Sequence, residues 1–148
     1  MKALSLTQPW ASAVALGIKQ WETRSWPTSF RGQFGVHAAK GFPGYAKQFA
    51  NDEHFMCRMP DISELPLGFI LCVAELTECR RTEDVVKELS DIERLYGDYS
   101  PGRYAFKLDN IHRLAAPVFH RGALGFWHVA WDETNEILRM LRNGDSNG

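Results

Sequence analysis

The strongest strand signal in the chain is a nine-residue run at residues 68–76, which reads GFILCVAEL. The run is apolar and partly β-branched, which is typical of a buried strand. Alternating apolar and polar residues on either side predict shorter strands. They lie at residues 2–6, 33–38, 103–108, 111–114 and 118–121, and Pro117 separates the last two. Residues 18–24 are predicted to be a turn that leads into a further strand.

Helix signals fall between these strands. Thr7 is predicted to cap a helix that starts at Pro9 and ends at Gly17. Further helices are predicted at residues 45–51, 82–89 (capped by Thr82) and 132–142, with fraying over 143–148. Short strands mixed with short helices predict an α+β fold, a small β-barrel decorated with helices. We expect one domain over residues 1–131, followed by a C-terminal helix and tail over 132–148.

Composition limits the function classes. The chain has 148 residues, 45% of them hydrophobic and 24% charged, which suits one ordinary domain. Its net charge of −1 excludes a generally basic nucleic-acid-binding surface. Any binding of an anionic partner must therefore depend on a local patch of cations.

The cysteines indicate a reducing compartment. They are three in number, Cys57, Cys72 and Cys79, and none has metal-ligand spacing. Cys72 is expected to be a buried free thiol because it lies inside the apolar run. With no signal-peptide pattern and no apolar run long enough to cross a membrane, we expect a cytoplasmic protein without a membrane partner. No P-loop, dinucleotide fingerprint or zinc spacing occurs, so no cofactor and no metal are expected.

The candidate site centres on residues 17–24, which read GIKQWETR. On a strand, Glu22 and Arg24 point to the same side, so they are predicted to form an ion pair. That pair either fixes the scaffold or faces a ligand, with Glu22 accepting a hydrogen bond or moving a proton and Arg24 clamping a phosphate. Lys19 is either a surface lysine or a phosphate-binding, basic or nucleophilic group.

Aromatic and polar residues elsewhere extend this candidate site. Gln8 is placed to contact the polar edge of a base, and Trp10 either stacks on a base or packs in the core. Trp26 is the better candidate for an exposed aromatic, because it lies at a strand end beside proline. Ser100 either caps a turn or faces Lys19 as a catalytic partner.

Several cations and one histidine complete the candidate set. A basic rim at successive strand ends is predicted from Arg31, Lys40, Arg103 and Arg121, although each alone is typical of a solvated surface charge. His37 ends an alternating strand beside small alanines, which leave room for a ligand. Since no second histidine or carboxylate stands at ligand spacing, no metal is expected there.

Four ordered blocks give the chain a family resemblance. They are LSLTQPWASAVALGIKQWETRSWPTSFRG (4–32), GFILCVAELTEC (68–79), YSPGRYAFKL (99–108) and RGALGFWHV (121–129). The first carries a QPWA entry and a GxKxxExR motif. Together the blocks resemble the ASCH domain family of the PUA-like superfamily.

The resemblance implies a PUA-like pseudo-barrel, with a cleft between the first helix and the GxKxxExR strand. It implies a nucleic-acid or nucleotide ligand, most often RNA and in some members DNA. Certain bacterial relatives are ribonucleases, and others remove the acetyl group of N4-acetylcytidine with a lysine, a threonine and a glutamate. That threonine stands where this chain has Glu22, which argues against a simple transfer of the deacylase mechanism.

Three hypotheses follow. The first is an RNA-binding or single-stranded nucleic-acid-binding module that holds a base or nucleoside in a cleft. Its floor would be Lys19, Glu22 and Arg24. The second is a hydrolase of RNA or of a modified nucleoside, with Lys19 as base or activator and Glu22 or Glu75 as proton carrier. The third is a protein-interaction domain. The choice between RNA and DNA, and whether catalysis occurs, stay open at this point.

Overall fold

A computed structural model describes residues 1–146 of the chain. Its centre is a six-stranded sheet with the strand order β2-β5-β4-β3-β1-β6. Strands β1 and β3 run parallel, and the other neighbours run antiparallel. The strands are β1 Lys2–Leu6, β2 Trp21–Arg24, β3 Gly32–Ala38, β4 Phe69–Arg81, β5 Tyr104–Phe119 and β6 Phe126–His128.

The two central strands, β4 and β5, curl the sheet. They have 13 and 16 residues. Their pairing register shifts between Ile70 and Cys72, between Val73 and Glu75, and again between Leu76 and Glu78. Each such irregularity bends a strand and increases its twist. The sheet is therefore a curled half-barrel with β2 and β6 at its two edges.

Short helices surround the sheet, as expected for the predicted α+β fold. Two 3₁₀ turns accompany them, at Ile62–Glu64 and Val86–Glu88. The helices are α1 Trp10–Ala15, α2 Gly44–Ala50, α3 Glu53–Met56, α4 Thr82–Val85, α5 Asp91–Leu95 and α6 Trp131–Ser146.

Both helix caps predicted from threonines are wrong. Helix α1 begins at Trp10 without a side-chain cap from Thr7. The Gln8 side chain serves that end instead, because its Oε1 accepts from the Ser12 backbone N–H at 2.9 Å. Thr82 is the first residue of α4, and its hydroxyl donates to the Ser100 carbonyl at 2.7 Å.

Several element boundaries differ from the sequence prediction. The central strand predicted at residues 68–76 continues as β4 to Arg81. The helix predicted at residues 82–89 is a short α-helix followed by a 3₁₀ turn. The strands predicted at 103–108, 111–114 and 118–121 fall largely on one strand, β5, which runs through Pro117 and ends at Phe119. Helix α6 continues over residues 143–146, where fraying was expected, and residues 147–148 lie outside the described residues.

The core occupies both faces of the sheet because strand side chains alternate. Leu4, Phe34 and Phe106 pack with α1 in the larger cluster, inside the curl. Ala3 and Ile70 point the other way and pack with Ile137 of α6. The sheet therefore lies between α1 and α6, which leaves the rim near the end of β1 open for a site. No helix within residues 1–146 is long and apolar enough to span a membrane.

Candidate functional site

A cleft opens where the end of β1, the start of α1, strand β2, helix α2 and the chain after α5 meet. We call it the first cleft, and its volume is about 450 Å³. Its lining residues are Ser5, Leu6, Thr7, Trp10, Lys19, Trp21, Glu22, Thr23, Arg24, Tyr45, Phe49, Tyr96, Gly97, Asp98 and Arg103.

Lys19 lies at the base of the first cleft in a buried ion pair. Gly17, with φ at 77°, ends α1, and the chain turns there so that Lys19 precedes β2. The Lys19 Nζ lies 2.7 Å from Glu93 Oε1, and both side chains are under 10% exposed, at 4% and 7%. Glu93 Oε2 accepts from the Gln20 backbone N–H at 2.7 Å. Lys19 is therefore held by α5, and its partner is not Glu22.

Glu22 and Arg24 form the ion pair predicted from their spacing. Arg24 Nε lies 3.7 Å from Glu22 Oε1, and the side chains are 23% and 17% exposed, respectively. Arg24 Nη2 also donates to the Ser5 carbonyl at 2.7 Å. Burial raises the pKa of Glu22 above its ordinary value, and the positive charges of Arg24 and Lys19 offset this only in part. The cleft thus contains a carboxyl group that is poorly solvated and incompletely paired.

An aromatic wall, formed by Trp10, Tyr45 and Phe49, lines the same cleft as these charges. The Trp10 ring lies 5.3 Å from the Phe49 ring and 6.2 Å from the Tyr45 ring, measured between centroids. Trp10 Nε1 donates to the Tyr96 carbonyl at 2.7 Å, which fixes the indole orientation. Tyr45 is 60% exposed, so its ring is open to solvent at the rim. This wall offers π faces to a planar ligand.

Arg103 closes the first cleft on the side of β5. Its Nε lies 3.4 Å from Asp98 Oδ2, and its Nη2 donates to the Thr23 carbonyl at 3.3 Å. Each cation on this cleft, Lys19 and the two arginines, therefore has an acidic neighbour.

A second cleft, of about 900 Å³, adjoins the first. Ser5, Thr7 and Arg24 line both clefts, so Arg24 stands at their junction. No aspartate or glutamate occurs among the described residues that line the second cleft. Its other lining residues are His37, Ala39, Lys40, Gly68, Phe119, His120, Arg121, Gly122, Ala123, Leu124 and Gly125.

His37 supports the second cleft from below. It is 1% exposed. Its Nε2 lies 2.7 Å from the His120 carbonyl, which only accepts, so Nε2 carries the proton and Nδ1 accepts from Ser5 Oγ at 2.9 Å. Burial lowers the pKa of His37, which favours this neutral form. A Cβ on Gly122 would lie 2.7 Å from Ser5 Oγ and 2.8 Å from His37 Cε1, so only glycine fits there.

Two predicted wall residues lie elsewhere. Gln8 is fully buried and donates to the Pro66 carbonyl at 2.9 Å, so it does not face a ligand. Trp26 is half-buried and lines neither cleft. It packs edge-on against Phe106 and Phe126 at 5.4 and 6.0 Å, beside the larger core cluster. Trp10 is half-buried too, but it lines the first cleft.

Three further candidates lie outside both clefts. Ser100 donates to Asp98 Oδ1 at 2.6 Å, which is the turn role considered from the sequence, and it does not line the cleft with Lys19. Arg31 is exposed, and its guanidinium donates to the Phe30 carbonyl at 2.7 Å. Glu75 accepts from Asn110 Nδ2 at 2.6 Å. The predicted single basic rim is instead split, with Arg103 on the first cleft and the cations Lys40 and Arg121 on the second.

The sequence analysis missed the partner of Lys19 and three aromatic residues of the first cleft. Glu93 follows Ser90 in an S-x-x-E pattern, and the Ser90 hydroxyl caps α5. That pattern would have found the helix but not its contact with Lys19. Tyr45, Phe49 and Tyr96 gave no separate signal, because their partner Trp10 lies about thirty or more residues away in sequence.

The three cysteines are free thiols, and they differ in exposure: Cys57 is exposed, Cys79 is half-buried and Cys72 is buried. Burial raises the pKa of the Cys72 thiol to about 12, so it stays a buried, protonated thiol as predicted. In the part of the chain that the structure describes, no group of three or more His, Cys, Asp or Glu side chains is arranged to hold a metal ion.

The family model named ASCH domain matches residues 4–115, which is most of the chain. The chain belongs to the ASCH domain family. This confirms the resemblance found in the sequence blocks. The matched span contains the whole first cleft, from Ser5 to Arg103.

Two curated relatives and one solved structure are similar to this ASCH domain. It is 30% identical over 95 residues to Activating signal cointegrator 1 of Homo sapiens and, equally, of Mus musculus. The match covers 62% of this chain but only 16% of the relatives. The crystal structure of ASCH from Zymomonas mobilis superposes with a TM-score of 0.59, covering 94% of each chain at 14% identity. That likeness confirms the predicted PUA-like barrel fold.

Proposed function

We propose that this ASCH domain binds single-stranded nucleic acid, RNA foremost, and holds one unstacked base in the first cleft. Sequence-specific recognition of RNA mostly targets unstacked bases, which stack on aromatic rings and hydrogen-bond through their edges. A volume of about 450 Å³ lies within the usual range for small-ligand pockets. A base is therefore an appropriate occupant by size and by chemistry.

One observation carries this proposal: aromatic rings and a half-buried carboxylate–guanidinium pair line the same cleft. Trp10 and Tyr45 supply π faces for stacking. Glu22 supplies acceptors for an exocyclic amino group, and Arg24 supplies donors for a carbonyl or a phosphate oxygen. Few other ligands combine a flat apolar face, a polar edge and a negative charge.

The raised pKa of Glu22 also supports a ligand with an amino group. Burial has removed water from this carboxyl group, and Arg24 at 3.7 Å is too distant for a hydrogen bond. A bound amino group would donate to the ionised form and offset that desolvation. We therefore expect affinity to fall at acidic pH, where Glu22 becomes protonated.

The decisive experiment compares two exposed aromatic residues. Tyr45→Ala removes a ring at the rim of the first cleft. Trp131→Ala removes a ring that is 77% exposed and lines neither cleft. We expect Tyr45→Ala to weaken binding to a short single-stranded RNA by about 1–3 kcal/mol, the usual contribution of one stacked base, and the control variant to leave it unchanged.

The outcomes separate the hypotheses. If both variants bind the RNA as tightly as the parent does, the first cleft does not contribute to RNA binding. Tighter binding to single-stranded DNA of the same sequence would reassign the ligand. Absence of binding to either would overturn the proposal, and the protein-interaction hypothesis would then stand.

A hydrolase is the second candidate, and the Glu22 pKa favours it. A carboxyl group whose pKa is raised by burial is suited to general acid catalysis near neutral pH. The test is turnover of labelled RNA and of N4-acetylcytidine by the parent and by Glu22→Gln. If the parent turns over either substrate and Glu22→Gln does not, the hydrolase hypothesis is supported. If the parent is no more active than Glu22→Gln, catalysis by Glu22 is excluded.

A further inference from the structure

The second cleft is the largest feature that the proposed base-binding site leaves unexplained. It has about twice the volume of the first cleft, at about 900 against about 450 Å³. It shares Ser5, Thr7 and Arg24 with the first cleft, so the two clefts adjoin at these residues. A chain that occupied both clefts would pass Arg24.

Two of the three cations that line the second cleft are unpaired, and the third is Arg24, which lies 3.7 Å from Glu22. Lys40 and Arg121 are exposed, and neither side chain forms an ion pair or a hydrogen bond with the side chains that the structure describes. No carboxylate lines the cleft among the described residues. On a chain whose net charge is −1, this is a local concentration of available cations. Such a patch is suited to an anionic backbone.

The junction between the clefts also has donors to spare. A guanidinium has five N–H donors, and Arg24 gives one to the Ser5 carbonyl. Its distance to Glu22 is longer than a hydrogen bond. Because Arg24 lines both clefts, its remaining donors are available to an anionic group at the junction.

The second cleft also carries an apolar platform. Phe119 is 69% exposed, and its ring stands against Phe69 with centroids 5.5 Å apart. That edge-on contact fixes the ring while most of its surface remains accessible. Because every base has a π face, such a ring accepts any base by stacking.

We infer that the second cleft binds the nucleotide next to the one whose base fills the first cleft. Arg24 holds the phosphate between them, Lys40 and Arg121 hold the next phosphate, and Phe119 stacks on the second base. The inference rests on the proposed function. It adds that the recognised unit is at least a dinucleotide, and that the two clefts have separate roles, for a base edge and for the backbone.

The experiment measures binding of a short single-stranded RNA of mixed sequence and of nucleoside monophosphates. The test variant is Lys40→Gln/Arg121→Gln. The matched control is Lys87→Gln/Arg139→Gln, which removes the same two charge types from exposed positions outside both clefts. Thermal unfolding of all proteins checks that the fold is unchanged.

We expect the test variant to lose affinity for the RNA by roughly three- to fivefold for each charge removed. The slope of log Kd against log salt should become shallower by about 0.7 for each charge. Monophosphate binding in the first cleft should be unchanged. The control variant should bind both ligands as the parent does, because distant surface charges are screened beyond about 10 Å. Phe119→Ala should weaken binding of the RNA only, by roughly five- to tenfold or more.

Each result bears on one claim. If the parent binds the RNA, and the test variant and Phe119→Ala bind it equally well, the second cleft has no role and the base-binding proposal survives alone. If test and control variants weaken equally, the effect is general electrostatics and the inference is wrong. If the parent binds neither RNA nor monophosphates, the proposed function fails and the inference fails with it.

Discussion

The two clefts differ in how their cations are neutralised. In the first cleft, Lys19 has Glu93 and Arg103 has Asp98 as acidic neighbours. In the second cleft, Lys40 and Arg121 have no such neighbour among residues 1–146. Burial explains the pairing of Lys19, because a buried charge must be paired whereas an exposed one is stabilised by water. Lys19 therefore contributes to stability, whereas the exposed Lys40 has no ionic partner among the described side chains.

Lys19→Ala should show this contrast with the largest effect. It leaves Glu93 buried at 7% exposure with its charge uncompensated. Breaking a buried pair in this way costs about 3–5 kcal/mol of the free energy of unfolding. Lys40→Ala should change the free energy of unfolding by no more than about 0.5 kcal/mol, as for most surface positions. Urea denaturation of both variants measures the two values.

A double variant checks the cause of that loss. Lys19→Met/Glu93→Gln removes both charges, and the glutamine keeps an acceptor for the Gln20 N–H. We expect it to recover most of the stability lost in Lys19→Ala, because replacing a buried pair by neutral groups is often harmless. A double variant as unstable as the single one would assign the loss to packing instead of charge.

Gly122→Ala should disturb the second cleft by a smaller amount. The new Cβ would meet Ser5 Oγ and His37 Cε1 at under 3 Å, and the His37 ring is held at both nitrogens. Overpacking of this kind costs about 1–3 kcal/mol. Gly41→Ala is the matched control, since nothing lies within 4 Å of its Cβ position. Thermal unfolding should separate the two variants, and equal midpoints would show that the loop over residues 120–125 yields at no cost.

The sequence located the local part of the first cleft but not its distant partners. Glu22 and Arg24 were predicted as a pair because period-two alternation fixes their side on a strand. The partner of Lys19 is 74 residues away, and no pattern within one segment identifies such a contact. The packing of Trp26 was missed for the same reason. Its ring lies against Phe106 and Phe126, which come from remote strands.

The fold was predicted more fully, with its main error at Pro117. Proline lacks the N–H that a ladder requires, so the sequence predicted a break there. In the structure, Ile70 pairs with Val118 and Cys72 pairs with Arg113, so the register shifts across Pro117. That irregularity accommodates the proline within one long strand. Its position depends on the pairing between β4 and β5, which the sequence of β5 alone does not reveal.

Glu22→Gln should raise stability at neutral pH. Burial raises the pKa of Glu22, so the folded state favours its protonated form. The contribution of Glu22 to stability is present at a pH below its unfolded-state pKa, and it is lost as pH rises through its higher folded-state pKa. An ionised Glu22 therefore costs stability at neutral pH, and a neutral glutamine avoids that cost. We expect the midpoint of thermal unfolding to rise by a few degrees, and the gain to disappear below about pH 4. A lower midpoint at neutral pH would mean that attraction to Arg24 outweighs burial.

His37 should give the second cleft the opposite pH dependence, with the smallest effect. Burial lowers its pKa from the ordinary 6.5, so the folded state favours the neutral ring. The contribution of His37 to stability is complete above pH 6.5, and it is lost as pH falls through its lower folded-state pKa. The midpoint of thermal unfolding should therefore fall more in the parent than in His37→Gln on mild acidification. His128→Gln, at an exposed position outside both clefts, should follow the parent. If the midpoint of His37→Gln shows the same pH dependence as that of the parent, protonation of His37 does not limit stability. The hydrogen bonds of His37 to Ser5 and His120 would then tolerate the charge.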